Sequence, residues 1–143
     1  MIAIVDLDLV PESTLYEYEQ ETGKSRVTYS QRDGFDIEAV FDAAVGTGVD
    51  ANLKSKVTEI RYWALVNLIR NSAAATQDQM NSARLMLESD PSMAVRVKAA
   101  ELCLLRPNDS TEAWTTLGRL ADKRQSNYYV ACNAVDCLSL IHI

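Results

Sequence analysis

Apolar positions recur along this chain on two scales, and both point to helices. Within Ala94 to Leu105, the residues Val95, Ala99, Leu102 and Cys103 fall at i, i+4, i+7 and i+8, the spacing of one helical face. Upstream, Gln77 to Glu88 gathers Met80, Ala83, Leu85 and Leu87 on one broad apolar side. Ser89-Asp90-Pro91-Ser92 separates the two stretches: Asp90 or Ser92 can cap the second helix, and Pro91 suits its first turn. Arg106-Pro107-Asn108-Asp109 stops it. The plan returns further on. Ser110 or Thr111 caps a helix over Thr111 to Ala121, a polar turn runs through Gln125-Ser126-Asn127, and a last helix runs from Tyr128 to about Leu140. An earlier and less regular pair spans Asp36 to Val45 and Val57 to Ile69, joined by a glycine-containing loop.

The second scale is a period of 35 residues. Ile60-Arg61 with Ala64, Val95-Arg96 with Ala99, and Val130-Ala131 with Ala134 keep the same relative positions at that offset. Ala83-Arg84-Leu85 aligns with Gly118-Arg119-Leu120 in the same register. Such a period, with helical patterning inside it, predicts stacked helix pairs. The expected fold class is therefore all-α, a short α-solenoid of about three helix pairs with an irregular N-terminal cap. Its expected parts are a linker or cap over 1–34 and repeats over 35–143, placed at about 36–71, 76–106 and 110–141. Ala64, Ala99 and Ala134 recur because stacked helices approach closely there.

Residues 1–34 stand outside the period. Pro11-Glu12-Ser13 can start a short helix to Gln20, ended by Glu21-Thr22-Gly23-Lys24, while Arg26-Val27-Thr28-Tyr29 alternates weakly and reads as extended or irregular. Folding of such a segment over the first helix pair is the expected way to cap an array.

Comparing the repeats singles out a few residues. The outward positions Lys98 and Glu101 correspond to Asn133 and Asp136 in the next repeat but to Trp63 and Val66 in the first. That apolar pair has two readings, cover by residues 1–34 or a docking face for a partner domain. Arg61 and Arg96 follow the apolar start of their helices. Each is expected to pair with an acid or carbonyl of a neighbouring repeat, with anion binding as the alternative, and Asp90 belongs to the same inter-repeat set.

Composition narrows the class. With 143 residues, 48% hydrophobic and 24% charged, the chain matches an ordinary globular domain or short array. No apolar run approaches the ~18–20 residues of a membrane span. The opening MIAIVDLDLV lacks a basic n-region and carries Asp6 and Asp8, so it does not read as a signal peptide. A net charge of −6 argues against nucleic acid or an anionic membrane as partner. Residues 1–50 hold 11 acids and 3 bases, whereas 51–143 hold 9 acids and 11 bases, so the first third carries the acidity.

Candidate chemistry is sparse. The one histidine, His142, cannot supply a triad or a metal cluster alone. Cys103, Cys132 and Cys137 lie in apolar helical stretches without a CxxC and read as small core residues. Thr22-Gly23-Lys24-Ser25 ends like a phosphate-binding loop, but Tyr18 stands where its first glycine is required, so it reads as a turn. Asp6-Leu7-Asp8 behind Ile2-Ala3-Ile4-Val5 resembles the nucleophile motif of haloacid-dehalogenase-type phosphatases. That fold needs alternating strands and helices downstream, and helical repeats follow instead.

The runs RYWALVNLI (61–69), DPSMAVRVKAAELCLL (90–105) and NYYVACNAVDCL (127–138) resemble HEAT-type repeats. More narrowly, they resemble the HEAT-like region that follows the catalytic domain in a group of bacterial sulfatases. There a segment like LVPES (9–13) leads through an acidic linker to a repeat opening with RYW, a match extending over about residues 5–138. The resemblance implies a non-catalytic C-terminal structural or interaction module, with Trp63 and Val66 packing on a missing enzyme domain and an extracytoplasmic location. The C-x-P-S-R or S-x-P-S-R signature of sulfatases is absent, as are their calcium and sulfate ligands. No catalytic, cofactor-binding or metal residue is therefore carried over to this chain. The alternative is a free-standing HEAT-like adaptor that binds protein; HEAT-like repeats also occur in phycobilin lyases. Leu138-Ser139-Leu140-Ile141-His142-Ile143 resembles a translated sequencing adapter as well as an amphipathic tail, and Met1 is readable as an internal codon, so the expectation is a fragment.

Overall fold

The structure, a computed structural model, describes residues 7–106, 110–122 and 124–141. Every regular element among them is helical: α1 (Glu12–Thr22), α2 (Arg26–Tyr29), α3 (Ile37–Val45), α4 (Val49–Asn52), α5 (Thr58–Arg70), α6 (Gln77–Ser89), α7 (Met93–Leu104), α8 (Ser110–Leu120) and α9 (Tyr128–Ile141), with 3-10 turns at Leu7–Leu9 and Ser72–Ala74. The expected all-α class is what the chain adopts. Asp6 and the apolar run before it, Pro107-Asn108-Asp109 and His142 lie outside the described residues.

Local chemistry sets the helix ends. Asp36 accepts the Glu38 N–H at 3.0 Å to start α3. Thr76 and Gln79 form a reciprocal capping box at the head of α6, each side chain accepting the other's backbone N–H. Ser92 caps α7 by accepting from Val95 N–H, which leaves Pro91 ahead of the cap rather than in the first turn. α3 ends at Gly46, whose φ of +93° is open to glycine at little cost.

Helices pack in pairs: α3 on α5, α6 on α7 and α8 on α9. The second members also meet in series, since α7 touches both α5 and α9. One apolar core runs through α5 to α9, from Leu53 to Cys137, and encloses Leu65, Leu87, Leu102, Leu117 and Val130. α7 is buried on several sides at once, with Ala94, Ala99 and Ala100 giving its neighbours room to approach. Ala64 and Ala134 are likewise fully enclosed. Leu85 departs from the expected apolar side of α6 and faces water. Met80, Ala83 and Leu87 form the i, i+3, i+7 stripe, and position 85 falls on the far side of it.

Residues 7–35 hold helices and a small packed cluster of their own. Val10, Leu15 and Tyr29 form a small core of their own, and Leu9 and Phe35 join a second one around Val40, Ala43 and Ile60. Arg26–Tyr29 is a helical turn, not an extended stretch. Helical i, i+3 spacing brings Arg26 and Tyr29 to the same side, where Arg26 forks onto Glu12 at 2.7 and 2.6 Å and Tyr29 packs edge-on to Tyr18 and Phe35.

Candidate functional site

The most heavily built region is the contact between residues 7–35 and the second members of the helix pairs. Trp63, on α5, donates its indole N–H to the backbone carbonyl of Leu9 and packs, as Leu9, Phe35 and Val57 do, against the cluster of Val40, Ala43 and Ile60. Val66 is half-buried against the main core. Among the described residues, Leu9 therefore lies against the Trp63 side chain.

Further along the same segment, Arg32 reaches Glu59 at the start of α5, its Nη2 contacting both carboxylate oxygens. Glu59 is 0% exposed, and the Arg32 guanidinium lies 4.5 Å from the Tyr29 ring centroid. Burial first, and then the Glu59 carboxylate, push the Tyr29 phenol well above its ordinary range. On α1, Glu17 accepts the Ser92 hydroxyl at 2.8 Å and the Ala94 N–H at 3.2 Å, placing a carboxylate at the head of α7. Burial still raises the Glu17 pKa, because these bonds do not fully replace water. Tyr16 meets Tyr129, at the head of α9, with centroids 5.6 Å apart.

Arg61 bridges the first pair to the second. Its Nε donates to Asp90 Oδ2 at 2.8 Å and its Nη2 to Asp90 Oδ1 at 3.0 Å, while Nη1 donates to the Ser55 carbonyl. Asp90 also accepts the Ser92 N–H at 2.9 Å, so one carboxylate ties α5 to the α6–α7 turn. Arg96 behaves differently, donating from Nε to the Leu87 carbonyl of its own helix pair. The residue 35 positions after Asp90 is Gln125, so the register offers Arg96 no matching carboxylate. Desolvation and the nearby Arg119 lower its pKa.

Lys98 and Glu101, expected to point outward, are only about one-fifth exposed and pair at 2.9 Å. Lys98 lies 5.7 Å from the Tyr62 ring centroid, and Cys137 donates its thiol to Glu101 at 3.5 Å, so the pair sits in a seam between α5 and α9. Burial pushes the Cys137 thiol up to about 12 and the Cys103 thiol up to about 11, which keeps both protonated and unreactive. Cys132 is exposed, unlike its two companions.

Periodicity alone did not reveal Glu59, Arg32 or Glu17. One signal was available: Glu59 falls in register with Ala94, a small apolar residue, so its charge was bound to need a partner. Thr22-Gly23-Lys24-Ser25 is the end of α1, with Gly23 in the left-handed conformation as C-cap, and Asp8 is exposed in the turn Leu7–Leu9.

Of the concavities on the described surface, three lie along the helices just described. A hollow of about 340 Å³ lies between α1 and the α8–α9 turn, bounded by Tyr16, Glu17, Met93 and Asn127. One of about 300 Å³ holds Arg96 and Arg119 together with Glu88 and Glu112, so its charges balance. The third, about 290 Å³ and mostly apolar, runs along α9 past Tyr128, Cys132 and Val135. Among the described residues no group of three or more His, Cys, Asp or Glu is placed to hold a metal ion, and no helix is long and apolar enough to cross a membrane. Comparison with known proteins finds no matching family model, no matching curated protein and no matching solved structure.

Proposed function

We propose that this chain is a non-catalytic structural and interaction module, its helix pairs stacked as a short HEAT-like α-solenoid. What supports this reading most directly is the use of its buried charges. Arg32 with Glu59, Arg61 with Asp90, and Glu17 on the head of α7 all join separate elements. Charges placed this way hold surfaces in position, as a binding scaffold requires. The parent protein we infer is a sulfatase-like hydrolase, in which this module would follow the catalytic domain in an extracytoplasmic compartment. That inference rests on the LVPES and RYW segments and their order. Trp63 and Val66, each still partly exposed, are where the enzyme domain or another protein partner would engage, beside the contact that Trp63 makes with Leu9.

Reading the source DNA upstream of this frame tests the parentage. An open frame continuing into C/S-x-P-S-R is the expected result. A ribosome-binding site directly before Met1 would instead make the chain a free-standing adaptor.

A further inference from the structure

The 35-residue register gives Arg96 the place that Arg61 holds in the first repeat, but not the same partner. Arg61 closes on the Asp90 carboxylate with two hydrogen bonds, whereas Gln125 stands where Arg96 would find its acid. Arg96 donates its Nε–H to the Leu87 carbonyl and lines a hollow of about 300 Å³ against α8. Arg119, on α8, lines the same hollow, and among the described residues neither arginine forms an ion pair. Burial first, and then Arg119, disfavour the charged form of Arg96, so the two guanidinium groups lie within electrostatic reach of each other.

Glu88 and Glu112 also line the hollow, which brings its charges to zero in sum, yet neither is paired with an arginine. The one carboxylate that acts appreciably on Arg96 is Asp90, and Arg61 already holds it. An anion set between two such guanidinium groups turns one repulsion into two attractions. The α8 wall adds the hydroxyls of Thr111 and Thr116, while that of Thr115 is spent on the Thr111 carbonyl. Two guanidinium forks and two hydroxyls offer more donors than the two oxygens of a carboxylate use well, and a phosphoryl group brings three strong acceptor oxygens. Glu88 and Glu112 set the upper limit, because a second anionic group in the hollow would meet them.

We propose that this hollow is a binding site for a single phosphate group, free or carried as a monoester, held between Arg96 and Arg119. The site goes beyond the interaction-module reading and does not depend on which parent protein the chain comes from.

Isothermal titration calorimetry of the whole chain with inorganic phosphate, at an ionic strength fixed with sodium chloride, tests it. Saturable binding at one site is expected, with a Kd of about 1 mM or tighter. Glycerol phosphate separates the two sources: tighter binding than inorganic phosphate marks a site for a monoester, and equal or weaker binding marks a site for the free ion. Arg96→Gln and Arg119→Gln should each weaken phosphate binding by about tenfold or more. Arg96 also holds the Leu87 carbonyl, so the exposed Arg119 gives the cleaner variant, its fold verified by unchanged helical circular dichroism. A wild type that takes up no phosphate overturns the proposal. So does chloride that competes as well as phosphate, or an Arg119→Gln chain that binds phosphate as the wild type does. None of these outcomes bears on the upstream DNA, so the parentage stands or falls separately.

Discussion

Arg61 and Asp90, 29 positions apart, are joined by two hydrogen bonds of 2.8 and 3.0 Å, with only 10% and 4% of their side chains exposed. Removing either partner strands the other in a dry site. Arg61→Ala and Asp90→Ala should each cost about 3–5 kcal/mol in urea unfolding. The double variant should cost clearly less than their sum, because the second change removes an already orphaned charge. Strict additivity would show that the pair is not coupled.

Glu17 should make stability depend on pH in an unusual direction. Burial raises its pKa from the ordinary 4.5, so the folded chain holds that proton more tightly than the unfolded chain. Its contribution is greatest below the ordinary value and is lost as pH rises through the raised folded one. Glu17→Gln removes the charge and keeps one acceptor oxygen, for the Ala94 N–H, while its amide N–H can donate to the Ser92 hydroxyl oxygen. Thermal melts across that window should show the variant gaining on the wild type as pH rises; a constant gap would count against the assignment.

Trp63→Phe retains the ring's packing but removes the N–H that Leu9 accepts. A loss of about 1 kcal/mol is expected, together with faster amide exchange in residues 7–10 than in α7. Equal acceleration across both regions would contradict local loosening.

The three thiols should separate in one titration. Cys132 is exposed, whereas Cys103 and Cys137 are buried and pushed up to about 11 and 12. An aromatic disulfide reagent should label one thiol per native chain, abolished by Cys132→Ser, and all three after unfolding in guanidinium.

Gly46→Ala tests the end of α3. A Cβ there would meet the Asn67 amide at 2.8 Å, and the φ of +93° strains any L side chain. The Asn67 side chain can rotate away, so the backbone dominates, at about 1–3 kcal/mol by chemical denaturation.

From α6 onward the helices were legible because long amphipathic runs and caps agreed. Thr76, Ser92 and the stripe through Met80, Ala83 and Leu87 all point the same way. Arg26–Tyr29 was not legible, since four residues are too few to separate a period of 2 from one of 3.6. Nor were Arg32–Glu59 and Glu17–Ser92, whose partners stand 27 and 75 positions apart. Contacts at that range leave no periodic trace. Lys98 and Glu101 looked outward because charge marks exposed faces on average, yet two opposite charges that satisfy each other can enter a seam together.

The long reach of Glu17 has a consequence for how the chain is made. Its carboxylate emerges from the ribosome 75 residues before the serine that it binds, and Tyr16 precedes Tyr129 by still more. At about 5–20 residues per second, that is roughly 4–15 s of synthesis during which α1 has no completed surface to settle on. Within this chain α1 is thus made well before α7 and α9 can receive it, and a chaperone meeting the nascent chain would find Tyr16 and Glu17 still without those partners.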